Sequence, residues 1–294
     1  MILQRDISKL ANRLYQDAIA KVGKRSARRL PENMIERDYV LAWLLTELAA
    51  HPLLSTALAF KGGTVLRRVH FGEYRFSEDL DFSLTHDVPL DELVKAFRQA
   101  FRLLEEKSGI RVGLDEKNVT RSVRNDTCYF DYKGPLPATN SVKVDLTRGE
   151  TIVFPLERKR VIRTYPEYAD LPEDAPPLQV YSFHEIVVEK TLAVTDNARR
   201  EPRDLYDLWF LLQEGHIEHP EEILVGLNRK LASRDGREAD VLLPRLEKVE
   251  ASLRTTWERR LSMQVEVLPA FEESFRAVKG LLRAFDELRS NSPK

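Results

Sequence analysis

Cysteine is nearly absent: the 294-residue sequence contains only Cys128, which excludes an intrachain disulfide and a cysteine-based zinc site. Cys128 lies in the β-like run Cys128-Tyr129-Phe130 and reads as a buried, inert thiol. The six histidines contain no HExxH pattern, and His216 and His219, which follow Gly215 in a turn-like segment, do not suggest a metal site. Long apolar runs are missing too. Stretches such as Tyr39–Leu45 fall far short of the roughly 20 residues a membrane-spanning helix needs, and no signal-like segment opens the sequence, so no membrane partner and a cytoplasmic location are expected. No charge of either sign dominates, with 46 Lys and Arg against 47 Asp and Glu. A generally basic nucleic-acid binder is therefore excluded, although local tracts at 24–29, 158–160 and 199–203 remain either solvated faces or contact points. There is no internal repeat, and the only biased segment is a short polar tail at 290–294.

What is present is a soluble globular composition, 43% hydrophobic and 32% charged, long enough for one large domain or two moderate ones. A first helix is predicted after Asp6, with Ile7, Leu10, Leu14 and Ala18 on one face, and a second over 31–50. A short strand at 57–60 leads through Lys61-Gly62-Gly63-Thr64 into a short helix at 65–70. Leu80, Phe82 and Leu84 alternate with Asp79, Asp81 and Ser83, the pattern of a half-buried strand. A helix over 90–107 precedes strand-like runs at 110–114, 119–132, 141–146 and 160–165. After the proline-rich segment 171–177 the pattern is helical. Ser182 and Glu185 are spaced as a capping box, Pro202 and Gly215 bracket the next helix, and two apolar stripes follow, Leu242 to Leu261 and Phe271 to Phe285.

The chemistry concentrates in residues 60–84. A Gly-Gly-Thr turn entering a helix offers backbone N–H groups to phosphate oxygens, and glycine permits close approach; the same sequence also serves as an ordinary turn. Asp79 and Asp81 sit at i, i+2, so on a strand both carboxylates share one face. Two like charges there point either to an intervening cation such as Mg²⁺ or to a face open to water. Asp145, in Val142-Lys143-Val144-Asp145-Leu146, is a third strand carboxylate flanked by apolar residues, for which a shared metal is one possible partner. Lys190 stands about two turns into its helix, where its ammonium reaches either triphosphate oxygens or a nearby Glu. Asp204 opens the following helix with Asp207 at i+3 on the same face, an arrangement that also suits a helix N-terminus.

The order Gly-Gly-Thr, Asp-x-Asp, then a lone strand aspartate resembles the polymerase-β-like nucleotidyltransferase superfamily. Four blocks taken together resemble, within it, the AbiEii (MenT-like) toxin nucleotidyltransferases of bacterial toxin–antitoxin pairs: 60–66 (FKGGTVL), 75–82 (RFSEDLDF), 185–193 (EIVVEKTLA) and 203–208 (RDLYDL). Residues 215–294 carry no matching motif. The resemblance implies an α+β fold, with a nucleotidyltransferase-like mixed sheet and flanking helices over 1–175. An all-helical C-terminal domain over 176–294 would contribute to the active-site cleft. It implies Asp79 and Asp81 as metal ligands with Asp145, Mg²⁺ or Mn²⁺ as cofactor, and an NTP as substrate. Lys61, Gly62, Gly63, Thr64, Arg75, Ser77 and Asp207 would bind or support the nucleotide, and Lys190 and Asp204 would act in catalysis. The implied acceptor is RNA, foremost the 3′ end of tRNA, with translation blocked as the result and a cognate antitoxin encoded nearby. A small-molecule or protein hydroxyl as acceptor, and a nucleotide- or partner-binding protein without turnover, are the alternatives.

Overall fold

Ile7, Leu10, Leu14 and Ala18 are all buried along one face of helix α1 (Gln4–Val22), as their 3–4 residue spacing requires. The structure is a computed structural model that describes residues 1–235 and 241–291. α1 begins at Gln4 rather than after Asp6. Asp6 lies inside the first turn, where its carboxylate accepts the Leu3 N–H at 3.0 Å. Helix α2 (Glu32–Ala50) starts directly after Pro31 and is buried on nearly every side, so it shows little amphipathic pattern.

The elements that follow are α3 (Leu54–Ala57), β1 (Leu58–Lys61), α4 (Gly62–Val65) running into a π-helical stretch (Leu66–Phe71), and β2 (Leu80–Leu84). Next come α5 (Leu90–Ser108), β3 (Arg111–Leu114), β4 (Thr120–Arg121), β5 (Asn125–Lys133), β6 (Asn140–Thr147), β7 (Glu157–Lys159) and β8 (Leu178–Val180). One mixed sheet orders the strands β3-β5-β6-β2-β1-β8-β7, with β4 beside β5. The β2–β6 and β1–β8 pairs are parallel and the others antiparallel. α5 lays Phe97 and Phe101 against Phe130 of β5, with centroids 5.1 and 4.8 Å away in edge-on contacts.

Three local expectations are corrected. The run 119–132 is broken at 122–124, where the Ser122 N–H closes a turn onto the Asn125 carbonyl at 2.9 Å. The run 160–165 is not a strand: the Ile162 N–H donates to the Arg68 carbonyl (2.7 Å), and the Arg68 guanidinium donates to the Ile162 carbonyl (2.6 Å). An arginine there supplies what a neighbouring strand would have supplied. The pairing strand β7 lies just before it. Finally, the two glycines form the first turn of α4 rather than a loop leading to a helix.

The chain divides into two units, one of residues 1–150, 156–180 and 264–266, the other of 151–155, 181–263 and 267–294. The second unit holds α6 (Phe183–Val194), α7 (Pro202–Gln213), α8 (Pro220–Asp235), α9 (Leu242–Leu261) and α10 (Phe271–Asn291). Both apolar stripes are core, since Leu246, Val249, Leu253 and Trp257 of α9 and Phe275, Val278, Leu282 and Phe285 of α10 are all buried. α10 continues through Ser290 and Asn291, so these two are helical; the rest of the expected tail, 292–294, lies outside the described residues. Ser182 caps α6 by accepting the Glu185 N–H, but Glu185 does not complete a capping box. Its carboxylate instead accepts from the fully buried Lys230 (2.5 Å) and from the N–H groups of Val153 and Phe154 (2.9 Å each).

In the sheet unit, Asp38 of α2 is buried between two arginines of the π-helical stretch, meeting Arg67 Nε at 2.5 Å and Arg68 Nη1 at 2.7 Å. Burial alone would raise its pKa, yet the two guanidinium groups outweigh this and hold the carboxyl at about 2. Because the folded value lies below that of a free aspartate, this contribution is complete above pH ~4 and is lost as pH falls toward about 2. Replacing Asp38 by Asn leaves two buried cations uncompensated and is expected to cost about 3–5 kcal/mol in urea unfolding. Comparing wild-type and variant melting temperatures from pH 5 to about pH 2 checks the sign: the gap between them should narrow as the medium becomes more acid.

Candidate active site

The sheet register assembles a polar row from residues far apart in sequence. Lys61 on β1 pairs with Asp81 on β2, Asp81 with Asp145 on β6, and Asp145 with Thr127 on β5. Directly paired residues share a face of the sheet, so an ammonium, two carboxylates and a hydroxyl line up across four strands. Leu80 and Phe82 point the opposite way and are fully buried. Asp79 immediately precedes β2, and both it and Asp81 are half-buried.

The Gly-Gly-Thr turn is held against this row. Gly62 has φ +81°, and a Cβ there would collide with the Asp81 carboxylate; a Cβ on Gly63 would collide with the Arg75 guanidinium. Gly62 is thus needed both for close approach and for its backbone conformation, while Gly63 leaves room for the Arg75 guanidinium. The buried Thr64 hydroxyl donates to the Asp79 carbonyl oxygen at 2.5 Å and lies 2.8 Å from Ser77 Oγ, tying the turn to the aspartate pair. Arg75 is 3% exposed, with Nη1 near the Phe76 carbonyl and Gln264 Oε1. Its burial ties it to the turn rather than to an outer surface.

Two cations of this face are engaged by carboxylates. Lys61 Nζ donates to Glu150 and to Thr147 Oγ1 (3.0 Å), while Ser83 donates to the same Glu150 carboxylate at 2.5 Å. Lys143 Nζ meets Asp145 Oδ2 at 2.6 Å, and Asp145 Oδ1 accepts from Thr127 (2.5 Å) and Asn125 (3.3 Å). Burial would raise the Asp145 pKa, but Lys143 and Thr127 hold it below the ordinary range. Lys143 and Glu150 went unnoticed in the sequence. The i, i+2 spacing of Lys143 and Asp145 on one strand would have revealed the first. Glu150 lies beyond β6, where no periodicity applies. Asp79 and Asp81 supply the hard, paired oxygens that suit a divalent cation; Asp145 does not fit as their third partner while three donors occupy it. Among the described residues, no three His, Cys, Asp or Glu side chains gather closely enough to hold a metal ion. Cys128 is 1% exposed, and burial pushes its thiol up to about 12, which makes it inert.

The helical unit carries a second charged cluster. Lys190 is 6% exposed and meets Asp204 Oδ1 at 2.8 Å and Asp207 Oδ2 at 2.6 Å. It is not a surface lysine, and the partners described for it are aspartates. Asp204 also accepts from Arg199 Nε at 2.9 Å. Burial would raise the Asp204 pKa, but Lys190 and Arg199 outweigh it and keep the group below the usual carboxylate range. Asp204 thus holds Lys190 and Arg199 in place.

The family model described as the nucleotidyl transferase AbiEii toxin of type IV toxin–antitoxin systems matches residues 43–289. The chain belongs to the AbiEii family. As an AbiEii toxin it is a nucleotidyltransferase, with an NTP as substrate and an antitoxin as partner. Its fold is similar to that of MenT4, a nucleotidyltransferase toxin from Mycobacterium tuberculosis H37Rv, with a TM-score of 0.59 at 20% identity over 96% of this chain and 90% of that one. The expected α+β class, with a mixed sheet, flanking helices and C-terminal helices, is therefore confirmed. An antigenic nucleotidyltransferase-like protein from Paracoccidioides brasiliensis also aligns, at TM-score 0.35 and 13% identity, over 79% of this chain and 94% of that one. No curated protein matches the sequence. Among the described residues, no helix is long and apolar enough to cross a membrane.

Gly62→Ala should be more damaging than its size suggests, because it combines a left-handed backbone angle with a clash against Asp81. We expect a loss in urea unfolding of at least the ~1–3 kcal/mol that the backbone angle alone costs, with the clash against Asp81 added to it.

Proposed function

We propose that this AbiEii toxin transfers a nucleoside monophosphate from an NTP to RNA, at the 3′ end of tRNA, and thereby blocks translation. The observation that supports this most is the Lys61–Asp81 pair beside a glycine turn that only a residue without a Cβ can form. Asp79 and Asp81 would hold one divalent cation, Mg²⁺ or Mn²⁺, which when bound offsets charge on the triphosphate and activates an oxygen nucleophile. The acceptor hydroxyl oxygen forms a bond to the α-phosphorus, the bond to the bridging oxygen breaks, pyrophosphate leaves, and the hydroxyl proton passes to solvent. Lys61 gives up Glu150 and donates to the triphosphate oxygens. Gly62, Gly63 and Thr64 bring the backbone close to the phosphates, with Arg75 and Ser77 keeping the turn in place. Lys190 is assigned to charge neutralisation in the same reaction, held in orientation by Asp204 and Asp207. The 1–175 segment is read as the nucleotidyltransferase domain and 176–294 as the helical domain, in a cytoplasmic protein.

Incubation with each labelled NTP, Mg²⁺ and total RNA tests this reading: label should appear at the 3′ end of tRNA. Label on protein or on a small molecule would move the acceptor to those classes, and nucleotide binding without any transfer would remove the catalytic reading. Asp79→Asn and Asp81→Asn should each reduce transfer to background in the same labelled-NTP assay.

RNA binding must rest on a few local basic contacts, given 46 basic and 47 acidic residues, and should weaken steeply with salt. Arg199 is already committed to Asp204, so Arg200, whose guanidinium contacts only the Asn197 carbonyl among the hydrogen bonds described for it, is the cleaner probe. Arg200→Ala should lower RNA transfer several-fold and leave NTP affinity unchanged.

A further inference from the structure

The third carboxylate of the polar row already has a cation, and it belongs to the protein. Lys143 and Asp145 occupy positions i and i+2 of β6 and so share a face, with Lys143 Nζ at 2.6 Å from Asp145 Oδ2. The parallel register that sets Leu80 opposite Val144 brings Asp79, one residue earlier, toward Lys143, one residue earlier on its own strand. The opposite oxygen of Asp145 is occupied by Thr127 and Asn125.

Resting on the reading of Asp79 and Asp81 as metal ligands, we infer that Lys143 is a tethered counter-ion occupying the place of a second metal. Asp145 is then not a metal ligand, and the site takes one divalent cation. A dication reaching Asp145 would have to displace an ammonium at hydrogen-bond distance and break two further hydrogen bonds. Lys143 is thus a positioning residue, which fixes Asp145 and sets how many ions the acidic face accepts.

The test counts ions rather than turnover. Mn²⁺ is titrated onto the full chain without nucleotide, so that every bound ion is held by the protein, and the bound fraction is read by electron paramagnetic resonance. Wild type should bind one ion. Lys143→Met, which leaves Asp145 uncompensated beside Asp81, should bind two, and Lys143→Arg should restore one. Asp145→Asn should still bind one, and this variant decides the matter if Lys143→Met does not fold. Two ions on wild type, one on a folded Lys143→Met, or none on Asp145→Asn would overturn the inference while leaving the Asp79 and Asp81 assignment in place. No ion on wild type would overturn that assignment itself.

Discussion

A single buried carboxylate holds the sheet unit of this protein in register. Asp38 projects from α2 into the π-helical stretch that follows the glycine turn and neutralises one of the two charges on Arg67 and Arg68. Other donors of the two arginines reach backbone carbonyls and hydroxyls. Arg67 reaches the Tyr74 carbonyl, and Arg68 the Ile162 carbonyl and Thr164 hydroxyl. The segment ending in Asp79 and the segment 160–168 are thereby anchored to one point. Buried ion clusters are poor sources of net stability, but they penalise every alternative arrangement that leaves a charge alone. Here the arrangement so enforced keeps the turn, its threonine and the aspartates in contact.

Two carboxylates of the acidic face are balanced by cations that the chain itself supplies. Lys61 is lodged between Glu150 and Thr147, and Lys143 lies against Asp145. Each lysine bonds to a carboxylate rather than standing in water. The helical unit follows the same logic, since Lys190 is desolvated only because two aspartates flank it.

Much of this was legible in the sequence because it depends on local rules. Strand alternation exposed the facing of Asp79 and Asp81, and helix periodicity marked the cores of α1, α9 and α10. What sequence could not show depends on pairing between distant segments. That Asp145 lies opposite Asp81 is a matter of register, and that Glu150 reaches Lys61 is a matter of where a loop returns. The run 160–165 looked like a strand because its composition is that of one, and an arginine side chain replaced the neighbour it would have needed. The Ser182–Glu185 spacing failed as a capping box for the same reason: a buried Lys230, 45 residues on, attracts the carboxylate more strongly than a local N–H.

The contact between Gly62 and the Asp81 carboxylate has a consequence for how such a sequence can drift. Position 62 has no room for a Cβ while position 81 carries that side chain in its present place, so the two sites are epistatic: neither can be scored without the other. In a lineage that lost the acid, the steric half of the constraint on the glycine would vanish and only its backbone angle would remain, a demand that asparagine can meet.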